Sequence, residues 1–234
     1  VVSARGSNLM LLPGLMCDHR LWDFVVEDLS AVADVSFGDL FRDPTIGEMA
    51  DRVLAQAPET FAIAGFSMGG YIARDVALRA PDRVSHLALL NTSARRTSDK
   101  DLIRNRRMIE LASARPFTGM APASLKQALH PDRGDDQALL DHIQAMARGL
   151  GKDVFLRQMG LVREDGLARL NEITCPTLVV TGDADRLRTM TEAEELAEGI
   201  FGASLAVVPD CGHMTPLEQP ARLVELMTEW LADA

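Results

Sequence analysis

The sequence predicts an α/β protein, in which about six mostly parallel strands form a sheet with helices on both faces. Short apolar runs alternate along the chain with longer segments whose apolar residues recur at helical spacing. This alternation indicates parallel strands, because a crossover segment has to carry the chain back before the next parallel strand begins. Several predicted strands are followed at once by Gly, Ser, Asn or Asp, and the active sites of parallel sheets lie at the carboxyl ends of the strands.

The strands are predicted from short apolar runs that are bounded by turn residues. The first run leads into Pro13 and Gly14, and the fourth begins shortly after the break at Pro81. A run that is apolar at nearly every position indicates a strand buried on both faces of the sheet. The predicted strands cover residues 8–12, 31–37, 61–64, 84–90, 177–181 and 205–208.

The helices are predicted where apolar residues repeat every three or four positions. The first of them places Leu21, Trp22 and Leu29 on one face. The second starts at Thr45, an N-cap residue with Glu48 three positions later, which is the pattern of a capping box. The predicted helices cover residues 20–29, 46–54, 71–79, 98–113, 121–129, 135–149, 152–163, 191–200 and 217–231.

The chain changes character between residues 94 and 173, where only helical patterns occur. This block follows the fourth predicted strand, so it would lie over the carboxyl ends of the strands. We therefore expect an α/β core formed by residues 1–93 and 174–234, and a helical lid formed by residues 94–173.

The overall composition limits the classes of function. With 234 residues, of which 47% are hydrophobic and 25% charged, the chain is expected to form one globular domain with an inserted subdomain. The net charge of −10 argues against non-specific binding to nucleic acid. We expect no membrane span and no signal peptide, because no apolar run of about 18 residues is present and residues 1–8 lack a long apolar segment.

The three cysteines, Cys17, Cys175 and Cys211, are widely spaced and form no Cys-x-x-Cys pair. This pattern favours reduced, mostly buried thiols in a cytoplasmic protein. A secreted form with one disulfide and one free cysteine is the alternative. The sequence leaves open whether the protein is a monomer or a homodimer.

One stretch carries a chemical signature. The predicted strand 61–64 runs into a Gly-x-Ser-x-Gly motif centred on Ser67, and a helix follows. A chain that changes from strand to helix within a few residues turns sharply and pushes the residue at the apex towards positive φ. Gly65 and Gly69 leave room for the neighbouring backbone. We therefore expect Ser67 to be a nucleophile at the N-terminus of a helix, which requires a histidine base and an orienting acid.

The chain resembles the α/β-hydrolase family over nearly its whole length. The matching motifs are Gly-Phe-Ser-Met-Gly-Gly at residues 65–70, Leu-Pro-Gly at 12–14, Gly-Asp-Ala-Asp at 182–185 and Gly-His-Met at 212–214. They occur in the order Ser, Asp, His that the family uses. The chain departs from the family in its short or absent leading antiparallel strands, and in Pro13, where many members have His.

The resemblance implies a catalytic triad in which Ser67 is the nucleophile, His213 the base and Asp185 the acid. Asp183 is the rival of Asp185 and would otherwise be a turn or capping residue. Some family members place the acid after the preceding strand, but here that position holds Asn91 and no carboxylate.

The resemblance also implies an oxyanion hole, a pair of backbone N–H groups that bind the negatively charged oxygen of the reaction intermediate. Met68 follows the nucleophile directly and supplies one N–H group. Leu15 supplies the other, with Met16 as the alternative. The predicted substrate pocket contains Met16, Asn91, Met108, Phe117, Met146 and Met214.

The predicted lid begins with a basic stretch, for which two interpretations stay open. It is either a solvated helix face or a mouth that attracts carboxylate-bearing substrates against the overall negative charge. The residues of this stretch are Arg95, Arg96, Lys100, Arg104, Arg106 and Arg107.

No metal and no cofactor are expected. The chain has no His-Glu-x-x-His or Cys-x-x-Cys spacing, and no Gly-x-Gly-x-x-Gly follows its first strand. The predicted triad already accounts for the Asp and His residues that would otherwise suggest metal ligands.

The resemblance implies a cofactor-free serine hydrolase that cleaves a small or medium-sized carboxylic ester or lactone through an acyl-enzyme on Ser67. Within the family, the chain is similar to carboxylesterases and 3-oxoadipate enol-lactonases. A carbon–carbon bond hydrolase, a lyase or a perhydrolase with the same triad is the enzymatic alternative. The non-enzymatic alternative is a ligand receptor on the same scaffold, because fold does not determine function.

Overall fold

The computed structural model describes residues 7–232, so residues 1–6 and 233–234 of the predicted core lie outside the described part. Within it, six strands form one sheet in the order β2-β1-β3-β4-β5-β6, and every adjacent pair is parallel. The strands are β1 (Asn8–Leu12), β2 (Asp34–Phe37), β3 (Phe61–Phe66), β4 (Val84–Leu90), β5 (Thr177–Gly182) and β6 (Ser204–Val208). The predicted parallel sheet of about six strands is confirmed.

Helices connect the strands and cover the sheet. They are α1 (Val26–Ser30), α2 (Ile46–Gln56), α3 (Met68–Arg79), α4 (Asp99–Ser113), α5 (Pro122–Ala128), α6 (Gln137–Met159), α7 (Met190–Gly199), α8 (Thr215–Glu218) and α9 (Pro220–Ala232). Three short 3₁₀ helices occupy His19–Trp22, Pro131–Arg133 and Leu167–Glu172. In residues 7–232, no helix combines the length and the apolar character that crossing a membrane requires.

The sheet separates two hydrophobic layers. Alternate residues of β1 pack on opposite faces: Leu9 and Leu11 belong to the layer that contains α1 and α9, whereas Met10 and Leu12 belong to the layer that contains α2, α3 and α7. All four side chains are at most 2% exposed. Burial on both faces explains why the strands are apolar at consecutive positions.

Two predicted helices are interrupted in the structure. The first, predicted over 20–29, consists of the 3₁₀ helix His19–Trp22 and the short helix α1, because Val25 lies outside the helical region at φ −127°. The last, predicted over 217–231, is split at Gln219, which has φ −135°. Proline disfavours the helical conformation of the residue before it, so Pro220 accounts for this second break.

Two predicted helices of the inserted segment, residues 94–173, are instead one element. The stretches predicted at 135–149 and 152–163 form α6, which is interrupted by a single non-helical residue, Gly151, at φ 78°. Glycine adopts this left-handed conformation without the steric penalty of a Cβ.

Candidate active site

The strand-to-helix turn at Ser67 is tight and strained. Ser67 lies between β3 and α3 with φ 51° and ψ −108°, a conformation that residues other than glycine rarely adopt. Two hydrogen bonds hold it there: its N–H donates to Leu90 O at 2.8 Å, and Thr92 Oγ1 donates to its carbonyl oxygen at 2.6 Å. A Cβ on Gly65 would lie 2.4 Å from the carbonyl oxygen of Gly69, so the turn closes only with glycine at this position.

The Ser67 side chain is joined to an imidazole and a carboxylate. His213 Nε2 lies 3.0 Å from Ser67 Oγ, and His213 Nδ1 lies 2.8 Å from Asp185 Oδ2. Asp185 follows β5, and His213 follows β6. Because both strands are parallel to β3, their carboxyl ends bring the three side chains to one edge of the sheet.

Asp185 is held as an anion that orients the imidazole. Its Oδ1 accepts the N–H groups of Leu187 and Arg188 at 2.8 and 2.9 Å, and Asn91 Nδ2 donates to its Oδ2 at 3.0 Å. Burial acts to raise the pKa of Asp185, but the charge and hydrogen bond of His213 and the hydrogen bond from Asn91 outweigh it and lower the pKa. An ionised Asp185 favours the tautomer with the proton on Nδ1, which leaves Nε2 free to accept a proton from Ser67.

Asp183 bonds to the backbone of the loop after β6. Its Oδ2 accepts the N–H of Asp210 and its Oδ1 accepts the N–H of Cys211, both at 3.1 Å. Asp210 itself lies at φ 51°. Asp183 therefore connects the end of β5 to the loop that carries His213 through the backbone of Asp210 and Cys211.

Asn91 is buried behind the carboxylate and lines no part of the cavity described below. It is 0% exposed and lies at φ 47°, directly after β4. Besides its bond to Asp185, it accepts a hydrogen bond from Thr215 Oγ1 at 2.7 Å. The sequence did draw attention to this position, because Asn91 stands at the strand end where some family members carry the acid.

The backbone N–H groups of Leu15 and Met68 lie near Ser67 and have no acceptor among the described residues, and neither does the N–H of Gly14 in the same turn as Leu15. The turn that carries Leu15 lies against the nucleophile, because a Cβ on Gly14 would be 3.4 Å from Ser67 Cβ. The N–H of Met16, the alternative donor, is already bonded to Gln158 Oε1 at 2.8 Å. Gln158 had no motif or spacing that would have singled it out.

The loop around His213 is held by a buried carboxylate that sequence reasoning missed. Glu218 is 4% exposed, and its Oε1 accepts the N–H groups of Gly212 and Met214 at 3.1 and 3.0 Å. Its Oε2 accepts the N–H of His130, in the inserted segment, at 2.6 Å. The only hint in the sequence was an acidic residue on a face that otherwise packs into the core.

A cavity of about 450 Å³ lies in the inserted segment, between α4, the loop after α4, and α6. Its walls are mainly apolar, with two arginines among them; they include Met108, Phe117, Met120, Phe155, Arg115 and Arg148. The apolar cluster around Phe155 also contains Met16 and Leu15. Phe155 thus connects the cavity to the turn that carries Leu15, while Ser67, Asp185 and His213 are not among the residues that line the cavity.

The predicted pocket residues divide into two groups. Met108 and Phe117 line the cavity. Met16, Met146 and Met214 are between 0 and 3% exposed and pack in the interior. These methionines occur at core positions of their elements, where a flexible apolar side chain fills irregular space.

The cysteines supply no nucleophile near the site. Burial raises the pKa of the Cys17 and Cys211 thiols to about 12, and it also raises the pKa of Cys175. All three therefore stay protonated at neutral pH. Among the described residues, no group of three or more His, Cys, Asp or Glu side chains is arranged to hold a metal ion.

Comparison with known proteins gives consistent matches over nearly the whole chain. Residues 9–226 match the model of the Alpha/beta hydrolase family. A pimeloyl-[acyl-carrier protein] methyl ester esterase of Nitrosomonas europaea is 26% identical over 240 residues, which cover 95% of this chain and 94% of the relative.

Two solved structures are similar in fold. A thermophilic esterase from Thermogutta terrifontis, with malate bound, superposes with a TM-score of 0.82 at 27% identity and covers 98% of this chain and 90% of its own. The enol-lactonase from Burkholderia xenovorans LB400 superposes with a TM-score of 0.82 at 23% identity and covers 97% and 92%. At that identity, the second match shows likeness of fold alone.

Proposed function

The chain belongs to the alpha/beta hydrolase family, and on that premise we propose that it cleaves a small or medium-sized carboxylic ester or lactone through an acyl-enzyme on Ser67. Its relatives and structural neighbours include esterases, and the chain is an enzyme of this hydrolase type. One observation carries the proposal: the unbroken series of contacts from Ser67 Oγ to His213 Nε2 at 3.0 Å and from His213 Nδ1 to Asp185 Oδ2 at 2.8 Å.

In the proposed reaction, Ser67 Oγ attacks the carbonyl carbon of the substrate while its proton moves to His213 Nε2. The carbonyl oxygen becomes an oxyanion, which the N–H groups of Leu15 and Met68 stabilise. His213 then gives the proton to the leaving oxygen, and the carbon–oxygen bond of the ester breaks. Water repeats the sequence on the acyl-enzyme, with His213 taking its proton, and releases the acid.

The proposed role of residues 94–173 is that of a lid that contributes the wall of the acyl site. The supporting observation is the cavity of about 450 Å³, because its lining residue Phe155 packs in the same apolar cluster as Leu15 and Met16. A volume of this size suits a small ligand, since ligand cavities measure about 300–1,000 Å³. The mainly apolar wall favours an acyl group without charges along its length, and the guanidinium groups of Arg115 and Arg148 favour a polar or anionic end.

The test is an initial-rate panel with p-nitrophenyl acetate, butyrate and octanoate and an enol-lactone, for the wild type and Ser67→Ala. We expect ester turnover whose kcat falls by about 10³-fold or more in the variant, with the fold retained by circular dichroism. The chain-length preference measures the depth of the acyl site. A loss of less than about tenfold would remove Ser67 as the nucleophile, and absence of turnover with ligand binding retained would favour a receptor.

Two aspartates on the same loop provide a matched pair. Asp185→Asn removes the anion that orients His213, and we expect kcat to fall by about 10³- to 10⁴-fold. Asp183→Asn keeps one acceptor for the loop after β6, and we expect kcat to stay within about tenfold of the wild type. The effects of both substitutions are measured as kcat on the best substrate of the panel. The opposite order of effects would make Asp183 the acid.

A further inference from the structure

We propose that Gln158 is a positioning residue of the oxyanion hole: it holds the turn at Met16 so that the N–H of Leu15 is left for the reacting carbonyl oxygen. The inference rests on the proposed function. Gln158 lies near the end of α6, in the inserted segment, and is separated from Met16 by 142 positions in the sequence. Its side chain is 2% exposed, so its polar atoms are satisfied only by the protein.

Both ends of the Gln158 side chain are used. Oε1 accepts the N–H of Met16 at 2.8 Å, and Nε2 donates to the carbonyl oxygen of Leu40 at 3.2 Å. A reversed carboxamide would place two donors against each other at Met16 and two oxygens against each other at Leu40. The site therefore selects a neutral group that accepts at one end and donates at the other.

The turn needs such support because Met16 is strained. It lies at φ 56°, in a turn that is closed by a 3.1 Å hydrogen bond from Cys17 N–H to Gly14 O. A residue with a side chain prefers negative φ, and relaxation of Met16 would rotate the peptide bond between Leu15 and Met16. The bond from Met16 N–H to Gln158 opposes that rotation.

Gln158 also decides which N–H group of the turn is available. The N–H of Met16 is occupied, whereas the N–H of Leu15 has no acceptor in the part of the chain that the structure describes. The side chain of Met16 is 1% exposed and packs with Phe155, three positions before Gln158 on α6. Helix α6 thus holds Met16 by its main chain and by its side chain.

The first variant is Gln158→Met, which keeps the length of the side chain and removes both hydrogen bonds. A direct oxyanion donor contributes about 10²- to 10³-fold to kcat, and a residue that positions such a donor should contribute less. We therefore expect Gln158→Met to lower kcat by about 10- to 100-fold and to leave KM within about threefold of the wild type. Affinity for a trifluoromethyl ketone, whose adduct with Ser67 carries an oxyanion, should fall in parallel with kcat, whereas affinity for the product acid should not change.

The second variant is Gln158→Glu, which supplies a pH readout. A protonated glutamic acid can accept from Met16 N–H and donate to Leu40 O, as glutamine does, but the ionised form places a charge against Leu40 O. The ratio of variant kcat to wild-type kcat should therefore rise as the pH is lowered. The need for a neutral His213 is common to both enzymes and cancels in the ratio.

The control is Gln56→Met. Gln56 Oε1 accepts the N–H of Asp39 at 3.3 Å, in the same loop as Leu40, and has no contact with Met16 among those the structure shows. Its kcat should stay within about threefold of the wild type, because the oxyanion turn is untouched.

The outcomes separate the inference from the function on which it rests. A Gln158→Met variant with kcat near the wild type, or with a change in KM alone, would overturn the inference while Ser67→Ala remains inactive. If Gln158→Met does not fold, a Gln158→Glu ratio that is flat with pH would overturn it instead. If wild-type turnover does not depend on Ser67, the proposed function fails, whatever the Gln158 variants do.

Discussion

The two halves of the inserted segment differ in how they meet the rest of the molecule. The outer half consists of α4 and the loop to residue 121, and the inner half runs from α5 to the end of α6. No residue of α4 is buried, and its Ile103 and Leu111 are 55% and 53% exposed. In the inner half, Leu139 and Ile143 are 6% and 5% exposed. They belong to the apolar layer that contains Leu9 of β1 together with α1 and α9.

The polar contacts show the same difference. The inner half is bonded to the loop that carries His213 and to α8: His213 N–H donates to Ala128 O at 2.9 Å, and Glu218 accepts the N–H of His130. The ion pairs of the outer half lie within α4 or between α4 and the residues just before it. They include Arg104–Asp101 at 3.0 Å and Arg96–Asp99 at 3.8 Å. The comparison teaches that the inner half is packed and hydrogen-bonded to the loop that carries His213, whereas α4 in the outer half has no buried residue.

The basic stretch at the start of the segment fits this division. Arg95 forms two hydrogen bonds of 2.7 Å with Glu195 on α7, so its guanidinium is engaged away from the cavity. Arg96 and Arg104 are 65% and 67% exposed at the side chain. Arg104 lies on α4, and its exposure fits the interpretation of a solvated helix face, whereas Arg95 and Arg96 precede the helix.

The largest expected effect comes from breaking the bond between the inner half and the His213 loop. Glu218→Ala leaves three N–H groups without an acceptor, two of them in buried hydrogen bonds, so we expect it to lower the free energy of unfolding by about 3 kcal/mol. It should also lower kcat by about 10²-fold through displacement of His213. Urea unfolding and initial rates on the best ester measure the two effects.

The milder variant Glu218→Gln keeps one acceptor oxygen. Its NH₂ group replaces the other oxygen and cannot accept a backbone N–H. It should therefore fold and lose less kcat than Glu218→Ala. If Glu218→Ala is unstable but its folded fraction keeps wild-type kcat, the inner half supports the fold without positioning the base.

An effect on stability alone, without an effect on kcat, is expected from a pair of isoleucines that samples the two halves. Ile143→Ala leaves a space in the core, and we expect a loss of about 2–4 kcal/mol in the free energy of unfolding. Ile103→Ala removes a side chain that is more than half exposed, and we expect a change of less than about 0.5 kcal/mol. Chemical denaturation of both variants checks the prediction, and similar losses would mean that α4 is packed as firmly as α6.

What the sequence predicts well is local. The Ser67 turn could be predicted because its strand, its glycines and its helix are adjacent in the chain. The break at Gln219 was not predicted, since the final helix was expected to run unbroken over 217–231, although Pro220 is a local signal for it. Asp185 and Asp183 lie two residues apart at one strand end, so only their partners in space distinguish them. That distinction needs the loop after β6, which no local pattern describes.

What the sequence does not reveal is the set of buried polar residues that connect distant segments. Asn91, Glu218 and Gln158 each satisfy backbone or side-chain groups far away in the sequence, and no periodicity marks such a role. Pocket residues are hard to identify for a related reason: a methionine at helical spacing gives the same pattern whether it lines a cavity, as Met108 does, or is buried in the core, as Met146 is.

The groups around Ser67 are far apart in the sequence, which has a consequence during synthesis of the chain. Ser67 and the turn at Met16 belong to the first half of the sequence, whereas Gln158, Asp185 and His213 follow later, and His213 is near the end. A growing chain begins to fold from its N-terminus. Under the proposed function, the serine is therefore synthesised long before the histidine that removes its proton, and a shortened product that ends before His213 would carry an unactivated alcohol at Ser67.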